Sequence, residues 1–204
     1  FLPGTLERFG LDYESARARN PAIVYASITG FGSKAGAHAA GYDFLVQAVG
    51  GLMDITGPPG SPSKVGVAIV DVLTAKDATV AILAALHERS RSGLGQHVEV
   101  ALLSSLLAAL VNQASGFLAT GHSPRSLGNR HPSIAPYEAL DTGDGVLALA
   151  VGNDRQFARL CEVVGAPDLA TDPRFVTNAQ RVAHRDELAA ALEACLQSDT
   201  AASW

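Results

Sequence analysis

The sequence is short of several things, and each shortage excludes something. It holds two cysteines, one tryptophan and one methionine among 204 residues, with aromatic residues at 6% and charged residues at 17%. Two cysteines cannot build a disulfide framework, and Cys161 and Cys195 have no CxxC spacing or histidine partner suited to a zinc site. Both read as small apolar fillers of helical segments, which fits a reducing compartment. No stretch approaches the roughly 20 apolar residues of a membrane span, and the first residues lack a charged segment leading into an apolar core. The sequence therefore reads as cytoplasmic, with no membrane partner. Positive charge is not in excess either: the net charge is −5. That argues against a nucleic-acid partner, which needs a broad basic face, and leaves room for a local pocket that takes a phosphorylated cofactor.

The usual site signatures are also missing. The six histidines are scattered with no HExxH pattern, so no metal is expected. The glycine-rich stretches do not form GxGxxG, and Gly60-Ser61-Pro62-Ser63-Lys64 lacks the glycine that precedes the lysine of a phosphate loop. Ser27, Ser104 and Ser105 lack the context of a nucleophile elbow.

What is present is an ordinary folded composition, 48% hydrophobic, enough for one large domain or two small ones. Residues 5–19 read as helical up to Asn20-Pro21, and the β-branched run 23–28 as a buried strand, together a βα unit of a parallel sheet. Residues 42–53 are amphipathic, and the Pro58-Pro59-Gly60 stretch breaks the chain. From Asp71 to about Ser90 the positions Val72, Ala75, Thr79, Ile82, Leu83 and Leu86 follow a helical period, with Arg89 and Arg91 near the end, where cations suit the dipole. Gly93 and Gly95 end that helix, residues 97–100 alternate as a short strand, and 102–118 form one helix, apolar nearly all round, that is buried or lies in an interface. Beyond Gly121 a hairpin (137–151), a helix capped by Asp154 and closed by Gly165, and further helices over 178–197 make a small α+β unit. The fold class is α/β, with domains at 1–121 and 122–204.

Asp71 stands out by position. It follows the apolar run 65–70 and opens the long helix, so its carboxylate faces a helix N-terminus beside glycines. It reads either as a plain N-cap or as a covalent nucleophile kept ionised by the helix field, with backbone N–H groups ready to hold an oxyanion.

The segment from Asn20 to Gly32, NPAIVYASITGFG, resembles a signature of the class III CoA-transferases, the family of formyl-CoA transferase, carnitine CoA-transferase and the methylacyl-CoA racemases. The likeness continues through Gly41-Tyr42-Asp43, Gly51-Leu52-Met53, residues 65–71, Ala84-Ala85-Leu86 and 93–98. It resumes at Gly128-Asn129-Arg130-His131-Pro132, Pro136-Tyr137, Asp144-Gly145 and Gly152-Asn153-Asp154. The nearest branch is the one that acts on dicarboxylates with succinyl-CoA as donor.

The resemblance implies a Rossmann-like parallel-sheet large domain, of which residues 1–121 form part, and an incomplete smaller α+β domain. It implies interlocked homodimers and a chain about twice this long. The opening at Phe1-Leu2-Pro3-Gly4 without an initiator Met likewise leads us to expect a preceding segment. The implied ligands are coenzyme A as acyl-CoA and a carboxylic acid. The nucleophile falls on Asp71; Arg8, with Phe1 and Leu2, falls on the cofactor site, and Ala39, Ala40, Gly41, Tyr42 and Asp43 on the CoA channel. Gly128 and Asn129 stand where the family has a mobile glycine-rich lid, here reduced. Arg130 and His131 are candidates to grip the distal carboxylate of a dicarboxylic acid.

Two other readings stand beside transfer. The racemase branch needs an acid/base pair and has a histidine where Tyr42 stands; a phenol with a pKa near 10 is a poor base at neutral pH, which favours transfer. An inactive fragment with a structural or interaction role is the other.

Overall fold

A computed structural model describes residues 3–204. Phe1 and Leu2, both assigned above to the cofactor site, lie outside the described residues. The chain divides into two compact units, one running through Ser126 and the other spanning Leu127–Trp204.

In the first unit α1 (Tyr13–Arg19) follows a 3-10 turn, Glu7–Phe9, and leads into β1 (Tyr25–Thr29). The side chain of Asp12 caps α1 by accepting from the Ser15 N–H, as short polar side chains do at N-caps. Next come α2 (Asp43–Val49), α3 (Ile69–Ser92) and β2 (His97–Ala101). β1 and β2 pair in parallel, Tyr25 against His97 through Thr29 against Ala101, which requires a long crossover, here carried by α2 and α3. Gly95 makes the pairing possible at its start: its N–H donates to the Pro21 carbonyl at 2.9 Å, and a Cβ there would fall on the Ile23 carbonyl.

The long helix departs from expectation in two ways. It begins at Ile69, with Ala68 at the N-cap and no side-chain cap of its own, so Asp71 is in the first turn and is not the cap. Its buried stripe is Val70, Thr74, Ala78 and Ala85, whereas Val72 and Leu83 are exposed. Small residues face inward because α2, β2 and α4 (Leu102–Ala109) pack on this side, and close packing between elements favours small side chains. The expected single helix over 102–118 is also two helices, α4 and α5 (Val111–Thr120). They bend by 80° at Val111, whose φ of 38° is left-handed. Neither glycine nor proline stands at the joint, and nothing local explains it. No helix among the described residues is by itself long and apolar enough to cross a membrane.

The core of this unit is small: Val46, Val70, Leu102 and Leu106, with Phe31, Leu52, Ile69, Leu103 and Leu110 against it.

The second unit is an antiparallel hairpin, β3 (Tyr137–Asp141) with β4 (Val146–Ala150), packed with α6 (Asp154–Val163), α7 (Asn178–Ala183) and α8 (Arg185–Leu196). Asn153, and not Asp154, caps α6, accepting from the Gln156 N–H. Asp154, the first residue of the helix, instead pairs with Arg181 at 2.7 Å. Arg181 is fully buried. It also donates to the carbonyls of Ala135 at 2.7 Å and Phe175 at 2.9 Å, and its guanidinium lies 4.4 Å from the Phe157 ring centre. A buried charge is tolerated when it is paired and its donors are used, and here one arginine ties the segment before β3, α6 and the loop before α7 together. Cys161 is buried in this core, where desolvation pushes its thiol pKa up, so it is unreactive packing.

Candidate active site

A cleft of about 450 Å³ opens in the first unit, lined by the end of β1, by the loop after it and by the first turn of α3. Asp71 lines it, with Ala39, Ala40, Gly41 and Tyr42 from the loop and Gly30, Gly32 and Gly36 from its other limb. The structure thus brings together five residues assigned from sequence. The loop is pinched where its limbs cross: a Cβ on Gly30 would fall on the Cα of Gly41, and one on Gly41 would lie 2.6 Å from that of Gly30. Only glycine allows this approach, and it brings residues 39–42 back to the α3 turn. Tyr42 is 69% exposed and is the N-cap residue of α2 without a capping side chain, so its phenol is free to meet a ligand.

Asp43 is the exception in that run. It does not line the cleft; its carboxylate turns inward and does the capping that Ala68 cannot. One oxygen accepts from the N–H groups of Val70 at 2.8 Å and Asp71 at 3.3 Å, two of the four donors that a helix start leaves unpaired. The other oxygen accepts from the Gln47 amide at 2.5 Å. Gln47 is fully buried, and its own oxygen accepts from the Val65 N–H at 2.9 Å. Sequence reasoning missed Gln47; the available signal was a polar pair at i, i+4, Asp43 and Gln47, flanking the apolar Phe44-Leu45-Val46.

Arg8 sits in the 3-10 turn, exposed, its guanidinium 5.2 Å from the Phe9 ring centre. It does not line the cleft. Its neighbours Leu6 and Glu7 line a second hollow of about 520 Å³ with Tyr13, Tyr25, Ser27 and His97. Pro3, Ile28 and Thr29 line both spaces, so the two hollows adjoin along β1.

Gly128, Asn129, Arg130 and His131 belong to the other unit. Gly128 has a φ of 63°, and Asn129 lines a hollow of about 280 Å³ with Arg130, Glu138, Asp186 and Glu193. The Arg130 guanidinium is engaged by Asp186 and, at 2.8 Å, by Glu138; the bond to Asp186 raises its pKa further. His131 accepts from the Ser133 N–H at 3.0 Å, and its backbone carbonyl accepts from Arg185 at 3.1 Å. The Arg130 guanidinium is therefore occupied within its own unit, and so is Nδ1 of the His131 ring.

A parallel β-crossover-β unit, with a carboxylate in a helix first turn lining a glycine-rich cleft, defines an α/β protein. Residues 1–204 match CoA-transferase family III throughout, and the chain belongs to that family. It is 51% identical over 186 residues to a succinate–glutarate CoA-transferase of Agrobacterium fabrum, covering 90% of this chain and 46% of that protein. It is 37% identical over 206 residues to the human succinyl-CoA:glutarate CoA-transferase, covering 100% of this chain and 47% of that one. Among solved structures, a CAIB/BAIF family protein from Brucella suis aligns with a TM-score of 0.79 at 48% identity, over 97% of this chain and 53% of that one. The chain spans about half the length of the relatives it matches.

Proposed function

We propose that the protein moves coenzyme A from an acyl-CoA, with succinyl-CoA as donor, to a carboxylic acid acceptor, and that Asp71 is the nucleophile. The observation that carries the reading is Asp71 in the first turn of α3, lining a cleft with Gly30, Gly32, Gly36 and Gly41. Backbone N–H groups at a helix start can hold an oxyanion formed on such a carboxylate, and the glycines in the wall leave room for a thioester to approach.

An oxygen of Asp71 attacks the thioester carbonyl; the C–S bond breaks and the thiolate leaves, giving a mixed anhydride. The thiolate then attacks the aspartyl carbonyl and expels the donor acid, giving an aspartyl-CoA thioester. The acceptor carboxylate attacks that carbonyl, releasing thiolate and forming a second anhydride. Attack of the thiolate on the acceptor's acyl carbon yields the new acyl-CoA and restores Asp71. No net proton is consumed, and covalent storage preserves the thioester's free energy. An anhydride exposed to water would hydrolyse, so the loop 30–41 and Tyr42 serve to exclude it.

The relatives' names, succinyl-CoA transferases to glutarate, mesaconate and D-citramalate, support a dicarboxylate acceptor, and Tyr42 in place of a histidine supports transfer over racemisation. Any distal carboxylate reaching Arg130 would compete with Glu138 and Asp186. The protein works in the cytoplasm as a homodimer; Leu118, 82% exposed on a helix with no buried residue, supports a covering chain.

The test is to incubate the complete polypeptide carrying this sequence with succinyl-CoA and a panel of mono- and dicarboxylic acids, and to follow acyl-CoA species by mass spectrometry. New acyl-CoA with equal release of succinate is expected. Exchange of a substrate α-proton without acyl transfer would replace this reading with the racemase one.

A further inference from the structure

We infer that Gln47 is a positioning residue for Asp71, acting through Asp43; the inference rests on the proposed role of Asp71. The fully buried amide of Gln47 uses both ends in opposite directions. Its nitrogen donates to one Asp43 oxygen and its oxygen accepts from the Val65 N–H, while the second Asp43 oxygen holds the N–H groups of Val70 and Asp71. The chain from Val65 to Asp71 is thereby fastened at both ends to one turn of α2. Between those ends Gly66, Val67 and Ala68 are exposed; Val70 and Ile69 anchor the segment in the core at its far end, so its orientation between Val65 and Ala68 depends on the hydrogen bonds. Tyr42 directly precedes α2, which fixes the two cleft walls to one another.

The arrangement is directional, and that separates positioning from filling. Gln47 must donate towards residue 43 and accept from residue 65. The substitution Q47E keeps the acceptor but sets a second carboxylate against Asp43; only its protonated form can donate. Exchanging the pair, as D43N/Q47E, restores every bond. The asparagine amide nitrogen donates to the new glutamate and its oxygen accepts from Val70, while the glutamate's other oxygen accepts from Val65. The negative charge merely moves from one side chain to the other.

In the complete polypeptide, kcat and KM for succinyl-CoA would be measured for Q47L, Q47E and D43N/Q47E, alongside amide hydrogen exchange at Val65, Val70 and Asp71. Positioning predicts that kcat falls about 10²-fold in Q47L, as for a modest misplacement of a reacting group, with KM changed less than about threefold. It predicts that Q47E recovers activity as pH falls, and that D43N/Q47E regains at least about a tenth of the wild-type kcat and the native protection. If Q47E and the exchanged pair both remain as impaired as Q47L with equally fast exchange, or if Q47L keeps wild-type kcat, the inference is wrong. Should the wild-type protein transfer no CoA at all, the functional reading fails on its own, and exchange at Val65 and Val70 still decides whether Gln47 holds the segment.

Discussion

The unit from Leu127 to Trp204 gathers Phe157, Phe175, Leu188, Leu192 and Leu196 into one closed core and satisfies a buried arginine at its centre. The preceding unit buries Val46, Val70, Leu102 and Leu106 and leaves Phe44, Val49, Val67, Val80 and Leu118 exposed. The cleft with Asp71 lies in this less buried unit. Stability in one unit comes from a large packed core; in the other, the segment that carries Asp71 is held by directed hydrogen bonds from Asp43 and Gln47 as well as by Val70 in a small core, and such bonds depend on each partner being present.

The contrast is sharpened most by Asp71→Ala. It should remove essentially all turnover, while thermal unfolding shifts by no more than the about 0.3–1 kcal/mol of a first-turn acidic residue. Measurable residual transfer at a rate within tenfold of wild type would place the chemistry elsewhere. Arg181→Met is the reverse case. Leaving the Ala135 and Phe175 carbonyls unpaired should cost on the order of 3 kcal/mol in denaturant unfolding, with kcat per folded molecule unchanged; a loss under about 0.5 kcal/mol would mean that the core does not depend on it. Gly41→Ala comes next. Forcing a methyl group against Gly30 should lower kcat/KM about tenfold, from strain of roughly 1–3 kcal/mol, and leave the second unit's amide exchange as it was.

The smallest effect concerns acid. Asp172 is held below the usual carboxylate value of 3.8, chiefly by its hydrogen bond to the Arg174 guanidinium. A group whose folded pKa is lowered contributes stability above its unfolded pKa and loses it as pH falls through the folded value. The contribution is therefore present at neutral pH and disappears below about pH 4. Asp172→Asn should flatten the acid limb of the stability curve slightly; a wild-type curve in the variant would discount the pair.

Much of the architecture is legible in the chain alone. The position of β1 follows from its β-branched run, although none of its residues is buried as expected; β2, the hairpin around the glycine-rich turn at 141–145, and the gathering of residues 39–42 with Asp71 follow from alternation, turn residues and the family likeness. What is hidden depends on tertiary partners. The stripe on α3 cannot be read from periodicity because the helix carries apolar residues on several faces, and only the packing of α2, α4 and β2 selects the one with Thr74 and Ala78. The helix start at Ile69 depends on a cap lent by Asp43, distant in sequence. The break at Val111 has no local signal. Arg130 reads as a free cation until Glu138 and Asp186 are brought to it by the second unit's fold.

The most direct test of the account is to mix the complete polypeptide with succinyl-CoA, quench with hydroxylamine and map the modified peptide by mass spectrometry. A hydroxamate on Asp71 is the predicted result; an unmodified Asp71, with a hydroxamate on another carboxylate or on none while CoA is being transferred, would contradict it.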